Sequence, residues 1–411
     1  MAPIAPTDGT ASSGPGAWFR HRGDLVAAFA TTDHLQGARL GSRIAELDPD
    51  AHVDVRERTV RVRVLGGSEP LQRTEAIDAL AREAGAPSSP QSVRLLSVVL
   101  ETVAPGAAAS FWQAVLGYRR EQDALVDPLG RRPALILRTV SGAPAPRGRL
   151  HLDSTRPDGP EADGAPALGG AFPGGPYGVR AADPEGTIAD LLPWGPSAED
   201  PAVSAWHGGF SAQAAWHAPS VPAAAAFAES IAELADGASC PLAIDRRRAL
   251  VVADSGKDVW ETHPGFADLA AAVQARAHSA GLTEDGTGLG VVQAFLSADS
   301  AERIRGFWAA ALGYEEDSRD GVLDLVDPLR LGPVLGFQDV DEPLAPLAGD
   351  PFHLLLDAPP TVLDKILEAP GLQGAAVREA EPGVRILEDP EGNQLELRRL
   401  APVSSDEAAL G

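Results

Sequence analysis

"ASFWQAVLGYRRE" at residues 109–121 returns as "RGFWAAALGYEED" at 305–317, with the Phe-Trp pair and the Leu-Gly-Tyr ending in register. A repeat of this kind decides the architecture before any single element is assigned. Reading outward, "LVDPLGRRPALIL" (125–137) matches "LVDPLRLGPVLGF" (325–337), and "GRLHLDSTRP" (148–157) matches "DPFHLLLDAP" (350–359). "AADPEGTIADLLP" (181–193) then matches "LEDPEGNQLELRR" (387–399). The matches keep their order and drift by only a few residues, as small loop insertions would make them. A weaker repeat lies upstream of each block: "LVAAFATTDHLQGARLGSRIAEL" (25–47) with "AQAAWHAPSVPAAAAFAESIAEL" (212–234), and "VDVRERTVRVRV" (53–64) with "AIDRRRALVVAD" (243–254). The chain reads A-B-A-B, a two-part unit duplicated in tandem.

A chain of 411 residues exceeds one ordinary core and implies several domains. Its 58 acidic against 34 basic residues give a net charge of -24, which repels phosphate backbones and anionic membrane surfaces. Nucleic acid and membrane are therefore excluded as expected partners. The single cysteine, Cys240, can form no internal disulfide and no thiolate metal cluster. With no basic and apolar leader in "MAPIAPTDGTASSGPGAW", the expectation is a cytoplasmic protein with a loose tail.

In the A blocks, Ala38, Leu40, Ile44 and Leu47 recur at helical spacings, whereas Val53, Val55, Val60, Val62 and Val64 alternate with charged residues. That alternation predicts a sheet with one wet face and helices on the other. "LQRTEAIDALAREAGA" returns to helix, with Gly85 as its stop. Each B block opens with a strand ("LLSVVLETV" or "VVQAFLSA"), then a helix carrying the Phe-Trp pair and ending at Gly117 or Gly313. Short strands around the Asp-Pro turns follow, and a second half runs from the histidine stretch to the strand after "DPEG". The boundaries expected are a tail at 1–17, A blocks at 18–88 and 203–284, B blocks at 91–196 and 288–402, and a tail at 403–411.

On "FWQAVLGY" and "FWAAALGY", the openings "HLDST" and "HLLLD", and the closing "DPEGTIADL" and "DPEGNQLEL", the B blocks resemble the vicinal oxygen chelate (VOC) superfamily, the glyoxalase and bleomycin-resistance-like proteins. On "RIAELDPDAHVDVRERTVRVRV", the A blocks are similar to pterin-4a-carbinolamine dehydratase. Together these resemblances imply an α+β protein in which two glyoxalase-like paired βαβββ domains alternate with two pterin-dehydratase-like helix/sheet domains. The dehydratase loop presents paired histidines, but positions 49–52 read Pro-Asp-Ala-His, "GGSEPL" lacks a further histidine, and "GASCPLAID" has none. Only His52 is left for acid/base or binding work there.

The VOC resemblance implies a cupped sheet whose metal ligands come from the first strand of each module and from near the end of its last strand. Aligned back from the Phe-Trp pairs, the first-strand position is Ser97 in one copy and Gln293 in the other. The remaining positions fall at His151 with Asp190, and at His353 with Glu396; Arg138 and Gln338 occupy the fourth. The second copy is thus expected to hold a divalent ion (Zn, Ni, Mn or Fe) on Gln293, His353 and Glu396, with an open position for substrate. His353 and Glu396 are its expected catalytic residues. Gln338, Trp308, His151 and His52 are candidate substrate contacts, although aromatic residues at helical spacing, such as Trp112 and Trp308, more often belong to a core. Ser97 and Arg138 weaken the first copy, which reads as a metal-free binding cup.

The leading functional reading is a VOC-type lyase or isomerase acting on a small oxygenated metabolite. The alternatives are a non-catalytic binder of an antibiotic or metabolite, and a residual 4a-hydroxytetrahydrobiopterin dehydratase. The duplication implies that contacts made between chains in shorter relatives are made here within one, and it leaves a homodimer open.

Overall fold

The computed structural model describes residues 18–67, 70–142, 149–157, 172–173, 179–196, 199–340, 351–372 and 375–403. The tails at 1–17 and 404–411 lie outside the described residues. The first A block contributes β1 (Asp24–Ala30), α1 (His34–Leu47), the hairpin β2 (His52–Arg56) and β3 (Thr59–Val64), and α2 (Pro70–Glu83). The first B block adds β4 (Leu95–Thr102), α3 (Pro105–Leu116), β5 (Leu135–Thr139), β6 (Leu150–Thr155), β7 (Val179–Ala182) and β8 (Ile188–Leu191). From the second A block come β9 (Gln213–His217), α4 (Val221–Ala238), β10 (Ala243–Arg247), β11 (Leu250–Asp254) and α5 (Phe266–Ser279). The second B block supplies β12 (Val291–Ala298), α6 (Ala301–Leu312), β13 (Leu335–Asp339), β14 (Phe352–Ala358), α7 (Pro360–Leu367), β15 (Ala376–Glu381), β16 (Val384–Glu388) and β17 (Gln394–Arg399).

Local chemistry sets the ends of these elements. The Asp33 carboxylate caps α1 by accepting from the Gln36 N–H at 2.7 Å. Helices α3 and α6 stop at Gly117 (φ 67°) and Gly313 (φ 63°), left-handed positions that glycine adopts without a Cβ clash.

The two A blocks do not form separate domains. Their strands join one eleven-stranded sheet whose middle runs β9-β11-β10-β2-β3-β1, with β10 antiparallel to β2 and Asp245 opposite Asp54. One face packs Val53, Val55, Val60, Val62, Ile244 and Val251 against the A-block helices. The other face, expected to be wet, is buried: Asp54, Arg56, Arg61, Asp245 and Arg247 are all under 9% exposed. Its charges are neutralised in place. Arg247 reaches Asp54 at 2.5 Å and Arg56 reaches Asp245 at 2.6 Å, so each strand's arginine serves the other strand's aspartate. Arg61 adds a bond to Asp54 at 2.7 Å, and Arg131 from the first B block binds Asp245 at 2.6 Å. Arg246 and Arg247 are thus interior groups, whereas Arg248 stays exposed beside Asp50.

The B blocks exchange halves. Strands β4 and β5 of the first block share an eight-stranded sheet with β14 to β17 of the second, through antiparallel pairing of β4 with β14. Strands β6 to β8 of the first block share the other eight-stranded sheet with β12 and β13, through antiparallel pairing of β6 with β12. The apolar faces of both sheets meet α3 and α6 in one core that includes Trp112, Trp308, Phe307 and Phe352. Residues 91–196 and 288–402 therefore each supply half of two sheets.

Removing one partner of a buried ion pair leaves an uncompensated charge, a loss of about 3–5 kcal/mol. Asp245→Ala should lower stability by that amount in urea denaturation, and an unchanged midpoint would mean the seam does not depend on it. Burial opposes ionisation of Asp54, but Arg247, Arg61 and Arg56 outweigh it and hold its carboxyl well below the ordinary value of 3.8. Its stabilisation is present above that value and is lost as pH falls through the lower folded-state range. His52 acts in the same sense. Burial first, then Arg247 and Arg63, depress it from 6.5 to about 2, so the unfolded chain takes up a proton that the folded chain refuses. The His52 contribution should be lost as pH falls below 6.5, so His52→Gln should lose less stability than the unmodified chain between pH 6.5 and 4.

Candidate functional site

Side chains alternate across a strand, so the face of each B sheet turned away from the shared core is readable from the register. On the β12-β6-β8 surface, Gln293, Asp153 and Asp190 stand in one row. His151 lies two residues before Asp153 on the same face. Its Nε2 is 3.6 Å from Asp153 Oδ1 and 3.6 Å from Asp190 Oδ2. One ligand atom from each of the three residues fits within a mutual span of 4.8 Å. Arg180 on β7 holds Asp190 in a two-point clamp, at 2.6 and 2.7 Å.

All four row and cluster residues are buried, and Gln293 and Asp190 are fully inaccessible. Both polar atoms of the Gln293 side chain, and Asp153 Oδ1, have no hydrogen-bond partner among the described residues. Burial, reinforced by the neighbouring Asp190 carboxylate, pushes the Asp153 carboxyl up to about 8. The Phe295 ring stacks on His151 at 5.6 Å and forms one wall. A Cβ at Gly336 would fall 2.3 Å from that ring, which is why a glycine stands there on β13. Gln338, on the next row outward, donates to Ser297 Oγ at 2.9 Å. A cleft of about 760 Å³ reaches Gln293 from the central sheet, past Gln213, Lys257 and Arg319.

The corresponding row on the other sheet reads Ser97, Leu355 and Glu396, with His353 beside it. His353 Nε2 is 3.5 Å from Glu396 Oε2, and Arg138 donates to the same oxygen at 2.8 Å. Burial raises the Glu396 pKa, but His353 and Arg138 outweigh it and hold the carboxyl below its ordinary range. Val99, Ala124, Ile136 and Leu355 cluster on this face, so its floor is apolar.

The expected trio of Gln293, His353 and Glu396 is therefore split. Gln293 joins His151 and Asp190 on one sheet, and His353 and Glu396 lie on the other, because the first-strand pairing crosses between the B blocks. Trp308, a candidate substrate contact, is 1% exposed and donates from its indole to Asp389 at 2.9 Å, so it is a core residue on the helix side. Trp112 does the same with Asp183 at 3.2 Å. His52 lines a different cleft, at the mouth of the His353 sheet. Asp153 was not anticipated, although its two-residue spacing from His151 on a strand was the available signal.

Residues 97–192 and 293–398 match the family model for a glyoxalase-like domain. The chain carries two glyoxalase-like domains. Solved structures with similarity include glyoxalase I from Zea mays, at 12% identity and TM-score 0.38 over 75% of this chain and 93% of that one. The cppA protein of Streptococcus pneumoniae TIGR4 aligns at 10% identity and TM-score 0.31 over 74% of this chain and 98% of that one. Oxidase ChaP-H2 aligns at 21% identity and TM-score 0.21 over 27% of this chain and 91% of that one. Comparison with curated protein sequences gave no match. Among the described residues no helix is long and apolar enough to cross a membrane.

An unsatisfied buried amide is destabilising by about 1–3 kcal/mol unless something outside the chain completes it. Gln293→Leu in the glyoxalase-like domain should therefore raise stability by roughly that amount when measured in chelator. A loss of stability would mean that the amide is a structural element of the fold.

Proposed function

We propose that the chain is a metal-assisted VOC-type lyase or isomerase acting on a small oxygenated metabolite, with its site on the polar face of the Gln293 sheet. The observation that carries this reading is the unpartnered buried amide of Gln293 beside the cluster of His151, Asp153 and Asp190. The donor set fits a divalent ion. One imidazole nitrogen, two carboxylates and an amide oxygen suit Zn, Ni, Mn or Fe.

Such an ion would polarise vicinal oxygens of the substrate and stabilise enediolate-like charge. The chain's own residues do the rest. Arg180 fixes the Asp190 carboxylate in plane and offsets part of the acidic excess. The Gln293 amide is free to orient a substrate oxygen or complete a coordination shell. Asp153, between the other two ligands, is the group whose protonation state the site's charge controls, and Phe295 excludes water along one side.

The His353 sheet offers a metal fewer donors. Leu355 stands where Asp153 stands in the other sheet, so one carboxylate, Glu396, remains beside the histidine. That arrangement supports a non-catalytic binder as the reading of this second face. Pterin dehydration is not favoured, since burial, Arg247 and Arg63 disfavour the imidazolium of His52 that general-acid catalysis would need.

Elemental analysis of the purified protein tests the proposal. About one equivalent of divalent metal is expected, lost in Asp153→Asn and His151→Ala and retained in Glu396→Ala. Metal that survives the first two substitutions and disappears in the third would return the site to the His353 sheet, and protein that never holds metal would leave the binder reading.

A further inference from the structure

A second cleft, of about 510 Å³, opens beside Ser97 at the mouth of the His353 sheet, against the polar face of β2 and β3. Its lining carries six arginines, at positions 22, 61, 63, 119, 131 and 132, against three carboxylates, Asp24, Glu121 and Asp127. In a chain of net charge -24 this is a local inversion of sign.

Most of these arginines are committed. Arg61 is bound to Asp54 at 2.7 Å, Arg131 to Asp245 at 2.6 Å, Arg132 to Asp127 at 2.7 Å, and Arg119 to Glu121 at 2.7 Å on the rim. Arg63 is not so held: its ion-pair contact, Asp24, stands 3.9 Å away. Beside it the buried Nδ1 of His52 has no hydrogen-bond partner among the described residues. The two groups converge on bare backbone at Gly130. A Cβ there would lie 3.5 Å from His52 Nδ1 and 3.7 Å from an Arg63 guanidinium nitrogen. Burial, Arg61 and Arg247 lower Arg63 to about 10, the response of a cation with too little negative charge around it.

We propose that this cleft binds a small organic anion, a carboxylate or phosphate ester with a short apolar body, through Arg63 and His52. Arg63 supplies a charge-assisted contact, and neutral His52, protonated at Nδ1, supplies a second donor. Leu95, Leu96, Val126 and Leu331 offer apolar surface for the remainder of the molecule. The volume suits a small ligand. The proposal does not rest on the chemistry of the Gln293 sheet.

The test uses two probes built on one anilinonaphthalene framework with the full chain, anionic 1-anilinonaphthalene-8-sulfonate and uncharged N-phenyl-1-naphthylamine, titrated by fluorescence. The anion should bind at least about tenfold tighter than the neutral probe, and Arg63→Met should remove that advantage. Equal affinity for both probes, or anion binding unchanged in Arg63→Met, would overturn the proposal. Thermal melts report whether Arg63→Met folds. If it does not, Arg119→Gln on the exposed rim should weaken the anionic probe roughly threefold and reduce its salt dependence. An unchanged affinity in that variant would equally count against the site.

Discussion

Two buried aspartates face each other across the seam between β2 and β10, and the fold depends on how their repulsion is resolved. Like charges directly opposite in a sheet are destabilising, and burial strengthens the effect. Here Asp54 and Asp245 each take an arginine from the other strand, and Arg61 and Arg131 add a second cation to each. The same guanidinium groups reach beyond the sheet. Arg247 Nε donates to the Leu129 carbonyl at 2.6 Å, and Arg56 Nε donates to the Arg330 carbonyl at 3.0 Å. Those carbonyls belong to the matching Asp-Pro-Leu loops of the two glyoxalase-like domains, each folded around its own aspartate, Asp127 or Asp327. One electrostatic constraint thus fixes the central sheet to both domains and places the arginines that border the two clefts.

Exchange of halves between the glyoxalase-like domains has a chemical consequence. Each polar face takes its first-strand residue from one domain and its histidine and last-strand carboxylate from the other. A residue's partners are therefore set by the strand crossing, not by proximity in the chain. Gln293 is 140 residues from Asp153 in sequence, yet directly opposite it in the sheet.

Much of the fold was legible because it is written in local patterns. The Phe-Trp helices, their glycine stops and the strand after "DPEG" all depend on spacing within about a dozen residues. The strand positions of His151, Asp190, His353 and Glu396 were legible through the family resemblance, since each sits at a fixed place on its own strand. What could not be read was the grouping. Two half-domains with similar hydrophobic patterns can pair within a block or across blocks, and nothing in either strand's alternation distinguishes the two. The wet face expected for "VDVRERTVRVRV" failed for a related reason. Charge alternation marks a polar face, but water and a complementary set of buried charges produce the same pattern, and only the tertiary partner separates them.

The two polar faces use equivalent positions to opposite ends. On one, Gln293, Asp153, Asp190 and Gln338 leave two carboxylates close together with a single guanidinium on one of them, an acidic surplus in a low-dielectric site. On the other, Ser97, Leu355, Glu396 and Arg138 leave one carboxylate already matched by a cation, and the mouth beyond Ser97 is lined with arginine. A buried surplus of either sign is costly, and it persists in a stable fold when a ligand of opposite charge completes it. The two faces differ at four matching positions, Gln293 against Ser97, Asp153 against Leu355, Asp190 against Glu396 and Gln338 against Arg138. Of the arginines that pair with Asp54 and Asp245, Arg61 lines the arginine-rich cleft, Arg56 lines the cleft that reaches Gln293, and Arg131 borders both.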